Sequence, residues 1–187
     1  MSGAPSTLGT FLRTFTFGHV RQFDAVHSRL LSNLSRQAPL LPGADQLAHL
    51  DIDDTVKPTF GYAKQGAGRG HIGVKGLNVL LATLSTATMP AADRAARLRK
   101  GPSNSAKGAH RLVADALITV RSCGATATLV LRADSAYYQP DVPASVLRRK
   151  ACFSVTARLL APVCRREQAP RRARCCQLQG TFSRHLR

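Results

Sequence analysis

The first predicted strand of the chain reads Gln46-Leu-Ala-His-Leu-Asp-Ile-Asp-Asp-Thr-Val56. Apolar and polar residues alternate along it, which is typical of a strand that buries one face. Three acids, Asp51, Asp53 and Asp54, stand in its second half. The strand therefore ends in a group of carboxylates, and the rest of the chain can be placed around it.

Four later segments also have the pattern of strands, separated by glycine, proline or helical segments. They are Leu77–Thr86 after a glycine-rich stretch, the short Ala95–Lys100, the buried Ala127–Asp134 and finally Cys152–Ala157. The fourth strand of the chain, like the first, ends in an acid. Two strands that finish in carboxylates are thus predicted for one sheet.

Helical spacing predicts three helices. One covers Ala106–Arg121, with Asn104 or Ser105 as its N-cap, and a short one covers Pro140–Lys150. An earlier helix, around Gly18–Leu34, is expected to pack beside the core. The order is three strands, helix, strand, helix, strand, which predicts a mixed α/β sheet of the ribonuclease-H-like kind: three antiparallel strands, then parallel strands linked by crossovers.

The domain organisation follows from where periodicity begins and ends. We expect an N-terminal helical segment at 1–45, a partial ribonuclease-H-like core at 46–158 and an irregular tail at 159–187. From Arg158 onward the sequence contains eight Arg, one Glu and no Lys, a composition that an out-of-frame stretch of GC-rich DNA often gives. The fold is therefore expected to be incomplete.

Charge indicates the class of partner. The net charge is +17, of which residues 158–187 carry +7, and strongly basic surfaces attract phosphate backbones through counterion release. A well-solvated surface or a membrane surface are the alternatives to nucleic acid. The sequence has neither a secretory signal nor an apolar run of membrane-spanning length, so a cytoplasmic protein is expected.

Asp53 and Asp134 are the candidate metal ligands. If their strands are neighbours, both carboxylates lie at one edge of the sheet and offer hard oxygen ligands to Mg²⁺. Two carboxylates that share a site repel each other unless a cation or proton lies between them. The alternative is that each is an ordinary turn-forming aspartate at a strand end.

Six motifs, in order along the chain, carry a resemblance to a known family. They are Gln22-Phe-Asp-Ala-Val26, Leu50-Asp-Ile-Asp-Asp-Thr-Val56, Gly61-Tyr-Ala-Lys-Gln-Gly66, Gly76-Leu-Asn-Val-Leu-Leu-Ala-Thr83, Arg97-Leu-Arg-Lys-Gly-Pro-Ser-Asn-Ser-Ala106 and Leu131-Arg-Ala-Asp-Ser-Ala-Tyr-Tyr138. With them the chain resembles DDE transposases of the bacterial insertion-sequence family thirteen-eighty, in its actinobacterial branch. The similarity runs from about Phe15 to Ala157.

The resemblance implies Mg²⁺-dependent DNA cleavage and strand transfer in DNA transposition. It places the first catalytic acid at Asp53, with Asp51 as runner-up, and the second at Asp134, both as metal ligands of a two-metal site. Transposon ends and target DNA are the implied partners, together with a homo-oligomer or an intact transposase. Whether the chain is itself an enzyme stays open.

Departures from the family pattern concern both ends of the chain. Family members extend further at the N-terminus and continue into an inserted region and a helix with the catalytic Glu. The only glutamate here is Glu167, in a stretch that does not resemble that helix. We therefore expect a fragment truncated at both ends and inactive alone, with apolar sheet surface left bare and a tendency to aggregate.

Basic residues in two loops are the candidate DNA contacts. Lys64, Arg69 and Lys75 are predicted to lie in or beside a flexible hairpin loop, and Arg99 with Lys100 ends the third strand. A plain solvated loop is the alternative. The Gly68–Gly73 motif matches GxGxxG, but it precedes a strand instead of opening a helix, so dinucleotide binding is not expected.

Two other functions fit part of the sequence. The chain could be a non-catalytic basic DNA-binding remnant, either a dominant-negative partner of an intact transposase or a pseudogene product. The other alternative is an unrelated basic nuclease that uses Glu167 as its third acid. The Pro-flanked, Arg-rich surroundings of Glu167 are a poor frame for a metal site.

Overall fold

The computed structural model describes residues 5–60, 64–70 and 72–156. The predicted tail, and Glu167 with it, lies outside the described residues. The elements are α1 (Pro5–Arg13), α2 (Phe17–Leu34), β1 (Leu47–Pro58), β2 (Gly68–Arg69), β3 (Lys75–Thr86), β4 (Ala92–Arg99), α3 (Ala109–Ser122), β5 (Thr128–Ala133), a 3₁₀ turn (Ser135–Tyr137), α4 (Asp141–Arg148) and β6 (Cys152–Val155). All five predicted strands and all three predicted helices are present among them.

The strands form one mixed sheet of six. β3 lies between β1 and β4 and runs antiparallel to both, whereas β1, β5 and β6 are parallel neighbours in that order. The two-residue β2 pairs with the start of β3. This topology confirms the ribonuclease-H-like mixed sheet, since the helices α3 and α4 supply the connections that parallel strands require.

One face of the sheet holds the core. Leu50, Leu80 and Leu131 from three adjacent strands are fully buried there, under the face of α3 that carries Leu112 and Val113. On the opposite face the alternate residues of β3, such as Val79 and Leu81, are only half-buried. The two faces of β3 are therefore covered to different degrees among the described residues.

The start of α3 differs from the prediction. The helix begins at Ala109, and Gly108, with φ 75°, is its N-cap. Asn104 instead caps a preceding turn, because its Oδ1 accepts the backbone N–H of Ala106 at 2.9 Å. The segment before Gly108 is thus a separate turn, which the sequence pattern merges with the helix.

Backbones come together without room for side chains at one end of β3. A Cβ at Gly76 would overlap the carbonyl oxygen of Lys57 in β1, and a Cβ at Gly101 would overlap the backbones of Gly68 and Gly76. Only glycine permits such close approach. The loops before β2 and after β4 are therefore fastened to the edge of β3, and the backbone N–H of Gly101 also donates to the Gly66 carbonyl at 2.9 Å.

The N-terminal segment contains two helices where the periodicity predicts one. Of these, α2 packs beside α3 through hydroxyl groups: Ser28 lies 2.8 Å from Thr119, and Ser32 lies 2.6 Å from Ser122, oxygen to oxygen. Across the part of the chain that the structure describes, no helix combines the length and apolarity needed to cross a membrane.

Candidate active site

Strand alternation sends the three acids of β1 to different places. Asp54 shares the parity of the buried Leu50 and Ile52, so its carboxylate lies on the helix-covered side of the sheet. Asp51 and Asp53 have the opposite parity and lie on the open face. Neighbouring acids in the sequence therefore have separate environments.

Asp54 is held inside a polar network at the edge of the core. Its Oδ1 accepts a hydrogen bond from the Tyr137 hydroxyl at 2.9 Å, and its Oδ2 accepts one from the Asn78 side-chain amide. The guanidinium of Arg99 lies 3.3 Å from Oδ2, and the Asp54 and Arg99 side chains are only 10% and 7% exposed. These contacts tie β1, β3 and β4 to the turn that follows Asp134.

Arg99 has an internal role in this network. Its Nε donates to the Asn78 Oδ1 at 2.8 Å, and its Nη1 donates to the carbonyls of Asn104, Ser105 and Lys107 at 3.1, 2.8 and 2.8 Å. Burial lowers the pKa of Arg99, although Asp54 opposes this shift. The sequence suggests Arg99 as a DNA contact. Because its N–H groups donate to acceptors inside the protein, Arg99 is not placed to bind a DNA phosphate.

The contacts of this network shift the pKa values of Asp54 and Tyr137 in opposite directions. Burial alone would raise the pKa of Asp54, but hydrogen bonds from Asn78, Ser105 and Tyr137, with the charge of Arg99, lower it below its usual value. Burial and the bond to Asp54 raise the pKa of Tyr137. At neutral pH the pair is therefore an ionised carboxylate that accepts a hydrogen bond from a neutral phenol.

Asp51 forms a two-pronged ion pair with Arg132, its register partner on β5. Arg132 Nε donates to Oδ1 at 2.7 Å, and Nη2 donates to Oδ2 at 2.6 Å. The bond to Asp51 raises the pKa of Arg132. Both oxygens of Asp51 are thus occupied by a guanidinium, which makes this carboxylate a poor metal ligand.

Asp53 and Asp134 lie at the same open edge. Asp53 is exposed, and its Oδ1 accepts the backbone N–H of Asp54 at 2.7 Å. Asp134 is exposed too, and its Oδ1 caps the 3₁₀ turn by accepting the backbone N–H of Ala136 at 2.9 Å. Both line one open concavity of about 440 Å³, together with the Asp51–Arg132 pair, Ser154 and Thr156.

His49 stands two residues before Asp51 on the same face of β1. Its Nδ1 is buried and has no hydrogen-bond partner. Burial and the nearby charge of Arg132 lower the pKa of His49, although Asp51 opposes the shift. His49 is therefore neutral at pH 7 and adds no positive charge beside the concavity.

The other predicted DNA-contacting residues lie in and beside the loops where the backbones of Gly66, Gly68, Gly76 and Gly101 meet. Lys64, Arg69 and Lys100 are exposed, while Lys75 is half-buried at the start of β3. Arg69 donates to the Gly73 carbonyl at 2.8 Å, which closes the hairpin between β2 and β3. The bond between Gly101 and Gly66 brings the loop of Lys64 beside the loop of Lys100.

Within residues 5–60, 64–70 and 72–156, no group of three or more His, Cys, Asp or Glu side chains is arranged to hold a metal ion. The physical reason lies in the acids already described. Asp51 is neutralised by Arg132 and Asp54 points to the other side of the sheet, which leaves Asp53 and Asp134. The arrangement can offer a cation two carboxylates but not a complete protein ligand set.

Sequence reasoning missed Asp54, Asn78 and Tyr137 as a unit. A signal was present, because Asp54 continues the buried parity of Leu50 and Ile52, and Asn78 continues that of Leu80. Polar side chains on a buried face require partners. No comparable sequence signal connects Tyr137 to them, since it lies 83 residues from Asp54 along the chain.

Comparison with known proteins gives a consistent but distant set of structures. No family model matches the chain, and no curated protein matches it. The chain is similar to the piggyBac transposase in its synaptic complex with hairpin DNA (TM-score 0.40, 14% identity, 70% of this chain and 27% of that one). It is also similar to the Mos1 transposase in its paired-end complex with the left transposon end (TM-score 0.36, 11% identity, 74% and 42%).

A third similar structure is the Drosophila P element transposase strand transfer complex, with a TM-score of 0.35 and 12% identity. The match covers 68% of this chain and 29% of the P element protein. The chain thus spans well under half the length of all three proteins. At these identities and TM-scores the likeness carries no argument about the chemistry of this chain.

Proposed function

We propose that this chain is part of a DDE transposase catalytic core that acts on DNA phosphodiester bonds, with Asp53 and Asp134 as its first two acids. One observation carries the proposal. Asp53 in β1 lies just beyond the residues that pair with the parallel strand β5, Asp134 follows the end of β5, and both exposed carboxylates line one open concavity. Catalytic acids collected at the carboxyl edge of parallel strands are a common arrangement in open α/β sheets.

A divalent cation fits these two residues. Each carboxylate uses one oxygen to accept a backbone N–H, and hard cations such as Mg²⁺ prefer carboxylate oxygens. When bound, Mg²⁺ would supply activation of the attacking oxygen and stabilisation of the leaving one in phosphoryl chemistry. Asp53 and Asp134 would hold it, and their mutual repulsion would be relieved by its charge.

The choice of Asp53 over Asp51 as first acid rests on the ion pair. Arg132 occupies both oxygens of Asp51, and the pair lies beside the concavity as a neutral unit. Asp53 has no comparable charged partner described and is more exposed. The turn that carries Asp134 is anchored by the Tyr137 bond to Asp54, which fixes where the second carboxylate stands.

DNA is the proposed partner of the basic surface. The net charge of +17 favours binding to a phosphate backbone without base readout. Lys64, Arg69, Lys75 and Lys100 are the proposed phosphate contacts in the described part of the chain. Transposon ends, target DNA and assembly with an intact transposase are part of the same proposal, as are membership of the insertion-sequence family thirteen-eighty and a bacterial cytoplasmic location.

The chain is proposed to be inactive alone, because no third acid joins Asp53 and Asp134 among the described residues. That same observation favours a second candidate function, a basic DNA-binding remnant without chemistry. The two differ in one property. A catalytic core fragment retains a cation site at its two acids, whereas a pure remnant binds DNA through charge and has no specific cation site.

Titration calorimetry with Mg²⁺ alone tests the proposal. We expect the wild-type chain to bind Mg²⁺, and both Asp53→Asn and Asp134→Asn to weaken binding by about tenfold or more, because each removes a carboxylate charge from the site. Asn at 134 can still accept the N–H of Ala136, so the turn should survive. Thermal melts of each variant establish that it folds.

Asp51→Asn is the matched control, since it removes an acid from the same strand and the same concavity. It leaves the charge of Arg132 uncompensated beside the site, so it should lower Mg²⁺ affinity, but by less than either ligand variant. Equal losses in all three variants would indicate diffuse attraction of the cation and would refute a site at Asp53 and Asp134. Absence of binding by the folded wild type would leave the DNA-binding remnant.

A further inference from the structure

A second cavity lies between helices α2 and α3 and strand β4. It shares no lining residue with the concavity of Asp53 and Asp134. Its volume is about 540 Å³, which is within the range of pockets that bind small organic molecules. Apolar side chains line part of it, among them Phe23 of α2 and Leu112 and Ile118 of α3. The cavity therefore has the size and part of the lining that an organic ligand requires.

Arg94 of β4 lines this cavity and is almost completely enclosed. Its exposed fraction is 6%, and its Nε is buried without a hydrogen-bond partner among the described residues. The contacts of its other nitrogens are long. Nη1 lies 3.5 Å from the Asp93 carbonyl oxygen, and Nη2 lies 3.4 Å from the Leu40 carbonyl oxygen and 3.6 Å from the Met89 sulfur. None of these acceptors is a carboxylate.

The guanidinium of Arg94 is thus a buried cation without a counter-ion. The ion pairs found within the described part of the chain do not include it. Burial lowers the pKa of Arg94, but an arginine stays protonated at neutral pH. Burying a cation is costly unless an anion pairs with it. An anion that entered the cavity would reduce that cost.

An irregularity of β4 brings Arg94 to the cavity. Its neighbours Asp93 and Ala95 pair with consecutive residues of β3, so Arg94 is an extra residue without a register partner. In a regular strand Arg94 and Ala95 would face opposite sides of the sheet. Here Ala95 packs against the core, and Arg94 beside it lines the helix-covered cavity. Such a β-bulge re-aims a side chain, and bulges are over-represented next to functional sites.

The other basic groups of the lining that carry a permanent charge are already paired. Arg21 binds Asp24 at 2.9 Å, and Arg97 binds Asp115 at 2.7 Å. The remaining acid of the lining, Asp93, is exposed, so solvent screens its charge. One enclosed positive charge is therefore left for a ligand to balance.

We propose that this cavity binds a small organic carboxylate, with its carboxylate on Arg94 and an apolar or aromatic body against Phe23, Leu112 and Ile118. The fork of N–H groups on a guanidinium matches the two oxygens of a carboxylate. A carboxylate carries one negative charge, whereas a phosphate monoester carries about −1.5 to −2 and would exceed the single charge available. Duplex DNA is too bulky to reach so enclosed a group. The site is separate from the acids and does not depend on the proposed function.

Fluorescence anisotropy with indole-3-acetate tests the site on the full chain. The protein contains no tryptophan, so the indole signal comes from the probe alone. We expect saturable binding with a Kd below about 1 mM. The neutral analogue indole-3-acetamide should bind at least about tenfold more weakly, because it lacks the charge that pairs with Arg94. As competitors of indole-3-acetate, phenylacetate should be more effective than phenyl phosphate.

Two variants change the site in different ways. Arg94→Met removes the charge and keeps most of the side-chain volume, whereas Ile118→Glu adds a carboxylate to the cavity at a position that is 44% exposed. Each should weaken indole-3-acetate binding at least about tenfold. Arg111→Met and Leu147→Glu are the matched controls, since they make the same changes of charge at exposed positions outside the cavity. They should change the Kd less than about twofold.

Thermal melts establish which variants fold, and Ile118→Glu tests the site even if Arg94→Met does not. The proposal is overturned if the folded wild type shows no saturable binding of indole-3-acetate up to about 10 mM, or if acid and amide bind equally well. It is also overturned if the controls weaken binding as much as the site variants do, which would indicate diffuse attraction of anions. Stronger competition by phenyl phosphate than by phenylacetate would overturn it too, because it would indicate a phosphate site.

Discussion

Asp53 and Asp54 are adjacent in the chain and have opposite surroundings. Asp54 accepts bonds from Tyr137 and Asn78 beside a buried guanidinium, and its side chain is 10% exposed. Asp53 is exposed at the open edge and accepts a backbone N–H. The difference teaches that the side of the sheet, more than the residue type, decides whether a carboxylate holds the fold together or is available to a ligand.

The largest expected effect comes from removing the enclosed acid. Asp54→Ala should lower the free energy of unfolding by about 3 kcal/mol, because it leaves the Tyr137 hydroxyl, the Asn78 amide and the buried Arg99 without their shared acceptor. Asp53→Ala should change it by less than about 0.5 kcal/mol. Urea unfolding of both variants measures the contrast, and equal losses would show that the two acids do not differ as described.

Acid pH should remove part of the contribution that Asp54 makes to the free energy of unfolding. The pKa of Asp54 is below its usual value of 3.8 in the folded protein, so its stabilisation is complete above pH 3.8 and is lost as pH falls through the folded pKa. The stability gap between wild type and Asp54→Asn should therefore be constant near neutral pH and narrow below 3.8. A gap that widens on acidification would contradict the direction of the shift.

A smaller effect is expected from removing the Tyr137 hydroxyl, which donates to Asp54 from the turn after β5. Tyr137→Phe should cost about 1–2 kcal/mol, since it removes one hydrogen bond to an ionised acceptor and keeps the buried ring. Tyr138→Phe is the matched control, because Tyr138 is 49% exposed. The denaturant midpoints of the two variants are compared with that of the wild type. Similar small shifts in Tyr137→Phe and Tyr138→Phe would mean that the Tyr137 hydrogen bond adds no stability.

The smallest effect concerns the ion pair on the open face. Asp51→Asn should lower the free energy of unfolding by less than about 1 kcal/mol, because the Arg132 and Asp51 side chains are 48% and 34% exposed and solvent screens the pair. Raising the salt concentration should shrink this loss further. A cost comparable to that of Asp54→Ala would show that Asp51 belongs to the structural network instead.

The elements of the fold could be predicted because their periodicities are clear. Alternation in Leu47–Pro58 and the apolar run of Lys75–Thr86 indicate strands, and helical spacing identifies α3. The open-face site depends on the same alternation, so the positions of Asp53 and Asp134 are also readable. Whether they hold a cation remains a prediction.

What could not be predicted depends on contacts that are distant in sequence. The internal role of Arg99 requires the turn at 104–107 to fold back onto β4, and nothing in the sequence distinguishes this arginine from the exposed Lys100 beside it. Similarly, helical spacing identifies α2 but gives no sign that the serine side faces inward. The sequence pattern identifies the type of an element, whereas the elements that pack against it decide which of its sides is buried.

Gly76 determines more than a close approach of two backbones. If β3 slipped by one residue along β1, Lys75 or Leu77 would occupy the site of Gly76, and its Cβ would overlap the carbonyl oxygen of Lys57. A one-residue slip also turns every side chain of a strand to the other face. The glycine thus excludes the misaligned sheet in which Asn78, the partner of Asp54 on β3, would face outward, although Gly76 lies 22 residues from Asp54 along the chain (76 − 54).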